Sequence, residues 1–126
     1  MEKNVDMVNR PPHYKKHIAT LEPIDVLEYL TFNLGNAFKY LIRAKDKGNE
    51  LQDLKKSEWY FQRATRRGEV DELKPETLLL LSLYFKHQKQ VFKVGEYRYD
   101  YFEPDAIIGN MRRYIQFRIE ELEEKE

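Results

Sequence analysis

Apolar residues along the chain recur mostly at three- and four-residue spacing, the signature of amphipathic helices. Ile24 and Leu27, with Leu30 or Thr31 beyond them, follow Pro23, whose fixed φ suits a first helical turn. They predict a short first helix ending at about Leu30. Phe32 and Asn33 read as a connection. From Leu34 to about Lys45, the set Leu34, Phe38, Leu41 and Ile42 marks a second helix with one apolar face. Gly48 suits a stop and Asn49 an N-cap, after which Leu51, Leu54, Ser57 or Glu58, Phe61 and Ala64 predict a third helix ending near Arg67-Gly68.

Lys74-Pro75-Glu76 opens a fourth helix. Its run from Leu78 to Phe85 is apolar nearly all round, which predicts a central, well-buried element, before His87, Lys89 and Lys93 turn it polar toward Gly95. Over residues 96–103, Tyr97, Tyr99 and Tyr101 alternate with Arg98, Asp100 and Phe102, so a short extended segment is expected there. Pro104 suits the first turn of a last helix, whose stripe runs through Ile107, Ile108, Met111, Tyr114, Ile115, Ile119 and Leu122. Residues 1–22 carry no sustained period, and Pro11-Pro12 holds Arg10 extended, so an extended arm is expected. The predicted fold is all-α: one domain over 1–126, with about five helices in a compact bundle, a helical core over 23–67 and further helices over 75–126.

Composition adds limits. A chain of 126 residues can bury a core without disulfides or metals. It has no cysteine, which removes thiolate chemistry and cysteine metal sites and fits a reducing compartment, the cytoplasm. The first residues lack a signal-peptide core, and the run Leu78 to Leu81 is far too short to span a membrane, so no membrane partner is expected. The formal net charge is zero, which gives no argument for a sequence-specific nucleic-acid partner. Its distribution is uneven, however. Between Lys39 and Arg67 basic residues outnumber acidic ones nine to four, and the balancing acid lies at Glu120, Glu121, Glu123, Glu124 and Glu126.

Within the basic stretch, Asn36, Lys39, Tyr40 and Arg43 stand at offsets of three, four and seven and share one helical surface. They supply an amide, an ammonium, a phenol and a guanidinium. A guanidinium can fork two donors onto a phosphate, and a ring can carry a base. The same pattern also describes a solvated basic face with Tyr40 half buried. His13 and His17 stand four apart, but Tyr14 occupies the place where a zincin helix needs its glutamate, and Lys15 and Lys16 disfavour a cation. Arg10, His13 and Tyr14 therefore read as part of an arm able to fold over an anion, or as a terminus with incidental histidines. No glycine-rich phosphate loop, nucleophile elbow or tight acidic cluster stands out. Asp25 and Glu28, on the first helix, are available as a base or as metal ligands, although acidic residues three apart on a helix are mostly structural. Trp59, Tyr60 and Phe61 cover more than one face of their helix, a surplus that suits either a filled core or a homo-oligomer interface.

Three ordered blocks carry a resemblance: Val8-Asn9-Arg10-Pro11-Pro12-His13-Tyr14, Glu22-Pro23-Ile24-Asp25-Val26-Leu27, and Asn33-Leu34-Gly35-Asn36-Ala37-Phe38-Lys39-Tyr40-Leu41-Ile42-Arg43-Ala44. With Asp53-Leu54-Lys55-Lys56 and Trp59-Tyr60, the sequence over about 8–65 resembles the small, phage-encoded SaV-like family, a domain of unknown function often labelled nucleotide kinase-like. Family members tend to follow the arginine–alanine pair with a glycine and lysines; here Ala44 precedes Lys45-Asp46-Lys47-Gly48. One coliphage relative is a nucleoside monophosphate kinase without a P-loop. The resemblance implies a phosphorylated nucleotide as ligand; it favours the face of Asn36, Lys39, Tyr40 and Arg43 as its site and adds His13, Tyr14 and Gly35 as candidate site residues, beside Arg10 of the arm. Capture of the nucleotide needs no cofactor; a kinase would need ATP and magnesium. A helical adaptor binding a host protein is the third reading.

Overall fold

The computed structural model describes residues 20–46 and 48–125. Among them the chain forms the expected all-α fold, with helices α1 (Pro23–Leu27), α2 (Phe32–Ala44), α3 (Glu50–Arg66), α4 (Pro75–His87) and α5 (Ile107–Glu124). Short 3₁₀ turns cover Val70–Glu72 and Pro104–Ala106. Strands β1 (Lys93–Val94) and β2 (Tyr97–Arg98) form one antiparallel hairpin, pairing Lys93 with Arg98 and Val94 with Tyr97. The extended segment anticipated over 96–103 is thus one arm of a hairpin that begins earlier. The arm expected over residues 1–22, with Arg10, His13, Tyr14 and His17, lies outside the described residues up to position 19; Leu21 is buried in the core.

α1 starts as its sequence demands, with Pro23 in the first turn and the Glu22 N–H donating to Asp25 Oδ2 at 2.8 Å. It ends at Leu27 rather than Leu30, because Leu30 N–H turns back onto the Leu27 carbonyl at 3.0 Å. The expected connection at Phe32 and Asn33 is instead the first turn of α2, with Thr31 as N-cap. A distant residue makes that possible. Glu69 accepts hydrogen bonds from the Thr31 hydroxyl, from Asn33 N–H at 3.1 Å, from Leu34 N–H at 3.3 Å and from the Asn33 side-chain amide at 2.6 Å. The donors that an α-helix leaves unpaired at its start are met by a carboxylate, which the helix dipole also favours.

Glu69 is aimed there by the end of α3. Gly68 takes a positive φ of 75°, Gly68 N–H donates to Thr65 O at 3.1 Å, and Glu69 N–H donates to Ala64 O at 2.9 Å. This is a Schellman motif, which closes the helix and reverses the chain. The same device ends α4 with a lysine in the glycine position: Lys89 has φ 54°, Lys89 N–H meets Lys86 O, and Gln90 N–H meets Phe85 O. α4 therefore stops at His87 instead of running on toward Gly95. Its apolar run is not buried all round either, since Leu79 is left at the surface.

The core is a string of rings threaded between helices. Phe38 of α2 meets Phe61 of α3 edge-on at 5.2 Å and lies tilted by 37° against Phe85 of α4 at 6.1 Å; Phe85 meets Phe92 edge-on, and Phe92 meets Tyr114 of α5 edge-on. Edge-to-face packing of this kind adds to the area these rings remove from water. Ile107, Met111, Ile115 and Ile119 supply the predicted stripe of α5. Ser57 Oγ donates to Ala37 O at 2.7 Å, a buried hydrogen bond that fixes α3 against α2. At the far end of α3, Arg118 of α5 binds Glu50 through two nitrogens at 2.8 and 3.0 Å. Among the described residues, no helix is long and apolar enough to cross a membrane.

Candidate functional site

α2 and α3 pack side by side, and the groups singled out on α2 face outward beside a matching row from α3. Tyr40 lies over Tyr60 with ring centroids 5.9 Å apart and planes only 8° from parallel. The Lys39 ammonium sits 4.7 Å from the Tyr40 centroid and the Lys56 ammonium 5.3 Å from it. Two cations from two helices thus meet at one ring, each drawn by the negative ring face.

The aromatic row continues on both sides. Phe32 meets Tyr60 edge-on at 6.4 Å and is 75% exposed; Trp59 meets Tyr60 edge-on at 5.0 Å and is 51% exposed. The Arg63 guanidinium lies 5.7 Å from the Trp59 ring. Phe61, the third ring of the surplus noted in sequence, goes the other way and fills the core.

Of the residues expected from sequence, Lys39 and Tyr40 stand together at the centre of this face. Arg43 lies one turn along, with its Nε 3.7 Å from Asp53 Oδ2. The Asp53 side chain is 3% exposed and that of Arg43 is 54% exposed, so the pair is anchored inside and open outside. Asn36 is partly committed, since its side-chain amide donates to Phe32 O at 2.9 Å within α2. Arg10, His13 and Tyr14 lie outside the described residues. Tyr60, Lys56, Arg63 and Phe32 were missed. Lys56, Tyr60 and Arg63 stand at offsets of four and seven, the same signal that marked the α2 set. Phe32 is four residues before Asn36 and was hidden by the absence of any local sign that the helix starts so early.

The basic excess of the stretch is partly spent elsewhere. Lys55 pairs with Glu123 at 2.8 Å. Lys45 turns its ammonium toward the protein, donating to Val91 O at 2.5 Å and lying 4.9 Å from the Phe92 ring and 5.7 Å from the Tyr114 ring. Desolvation there lowers its pKa below the usual lysine value, against an opposing pull from Glu50. The face keeps Lys39, Lys56, Arg63 and the outer part of Arg43. A cavity of about 340 Å³ lies between the hairpin and the end of α5, lined by Val94, Gly95, Tyr99, Phe117, Glu120, Glu121 and Glu124. Its carboxylates make it unsuited to a phosphate, so the cationic face is the better candidate.

Residues 8–62 match the DUF3310 family, described as a protein of unknown function. The matched stretch is less than half of the chain, yet it contains α1, α2 and most of α3, the helices that build this face. No curated protein and no solved structure matches the chain.

Proposed function

We propose that the α2–α3 face binds a phosphorylated nucleotide, and that the protein captures its ligand rather than converting it. The observation that carries this reading is the parallel Tyr40–Tyr60 pair with Lys39 and Lys56 at the Tyr40 ring. A base needs a flat apolar surface and a phosphate needs nearby cations, and both are present within one helix pair. The exposed side of Arg43, steadied by Asp53, offers a further phosphate contact. In this reading the N-terminal residues Arg10, His13 and Tyr14 complete the site, and the protein acts as a homo-oligomer in the cytoplasm of an infected bacterium. The SaV-like resemblance supports the nucleotide and the phage setting, and a host-defence nucleotide signal is the ligand that sequestration would serve.

The test is one set of samples: purified protein with mononucleotides, cyclic nucleotides and cyclic dinucleotides, each with and without ATP and magnesium, read for melting shift and for chemical conversion. A ligand at a hundredfold excess over its Kd stabilises by about 2.7 kcal/mol. A shift with the nucleotide recovered intact supports capture. A new phosphorylated species supports a nucleotide kinase instead, and silence on both counts, with oligonucleotides silent as well, leaves an adaptor for a host protein.

A further inference from the structure

We infer that the ligand of the α2–α3 face is a run of several nucleotides, a single-stranded nucleic acid read without base specificity; this rests on the nucleotide-binding reading of that face. The rings form a continuous surface row, Phe32 meeting Tyr60 at 6.4 Å and Tyr60 meeting Tyr40 at 5.9 Å between centroids. From Phe32 to Tyr40 α2 advances about 12 Å at 1.5 Å per residue, whereas a stacked strand advances only about 3.4 Å per nucleotide. A single base covers only one or two of these rings, so the full row takes successive bases of a strand.

Exposure supports the same conclusion. Phe32 and Trp59 present more than half their surface to solvent, as platforms for successive bases do. Cations accompany the rings on both helices: Lys39 on α2, Lys56 and Arg63 on α3. Rings flanked by cations suit a strand whose bases stack while its phosphates run alongside. It suits a protein partner poorly, because lysine is depleted at the centres of protein interfaces. The net charge of zero does not oppose this, since the contact is local to one face.

Trp59 is the only tryptophan in the chain, so its fluorescence reports on this face alone. The experiment titrates the full-length protein with oligothymidylates of two, four and eight residues, and with thymidine monophosphate, following quenching of Trp59. Fluorescence anisotropy of labelled strands is read in parallel at several salt concentrations. The expected result is quenching with affinity rising roughly tenfold or more from dimer to octamer, and a log–log salt slope of about −2 that falls by roughly 0.7 in Lys56→Ala. The monophosphate binding as tightly as the octamer would overturn the inference and leave the nucleotide reading standing. Strands and all nucleotides of the panel alike failing to bind would overturn both. Unquenched Trp59, with Trp59→Ala converting an oligomer to a monomer in light scattering, would make the patch a subunit contact and also overturn the inference.

Discussion

The carboxylate of Glu69 holds Asn33 twice, accepting its backbone N–H at 3.1 Å and its side-chain amide at 2.6 Å. Thirty-six positions separate the two residues, and the contact decides where α2 begins.

Removing it should loosen the helix that carries Lys39 and Tyr40. Glu69→Ala is expected to lower unfolding free energy by about 2 kcal/mol, in the range of a lost charged hydrogen-bonded cap, as read from urea midpoints. Burial by itself would raise the Glu69 pKa, but the bonds from Thr31, Asn33 and Leu34 outweigh it and hold the pKa below the ordinary glutamate value. The folded state therefore gains from the ionised form above the unfolded pKa, near 4.3, and loses that gain as pH falls through the lower folded value. The Glu69→Ala deficit should accordingly shrink at pH 3.

At the alkaline end the sign reverses. Burial, reinforced by Glu50, pushes the Tyr114 phenol up to about 12. Unfolded tyrosine ionises near 10, so stability conferred by the neutral phenol is full below pH 10 and is lost between about 10 and 12. Lys45, whose pKa is lowered, works in the opposite direction over neighbouring pH values. A comparison with Tyr114→Phe isolates the phenol: between pH 9 and 11.5 the native protein should lose more stability than the variant, by on the order of 1–2 kcal/mol, measured by urea denaturation at each pH.

Lys89 occupies a left-handed backbone position that glycine adopts without strain. Lys89→Gly is expected to stabilise by roughly 0.5–1 kcal/mol, raising the thermal midpoint by several degrees. A fall in midpoint would show that the lysine side chain contributes more than its backbone strain removes.

On the candidate face, Tyr60→Phe keeps the ring and Tyr60→Ala removes it. Any nucleotide that shifts the melting point should do so nearly as well with Tyr60→Phe. With Tyr60→Ala its affinity should fall by about tenfold, the loss of one stacking contact. Lys39→Ala should weaken binding in a manner that high salt reduces.

Much of this was legible in the sequence, and the parts that were not share a cause. Lys39 and Tyr40 were found because neighbours on one helix announce themselves by spacing. Tyr60 and Lys56 complete the same face from another helix, and no local pattern says which faces of two helices will meet. The start of α2 was misplaced because Phe32 points to solvent and Asn33 is polar, so neither joins the apolar period, while the cap that holds them comes from beyond α3. The end of α4 was misplaced because a lysine, not a glycine, turns the chain. The basic count overstated the free charge, since Lys45 and Lys55 reach partners on distant elements.

The ring string of the core also sets where this chain can be cut. Phe38, inside the stretch that matches DUF3310, packs on Phe85, far outside it, and the carboxylate that starts α2 lies at position 69. A fragment ending at residue 62 would keep every side chain of the candidate face except Arg63, yet lose the cap of α2 and one wall of its core. The stretch that looks like a module by sequence is, mechanically, half of a joint: the smallest piece able to hold the face in shape must extend through α4.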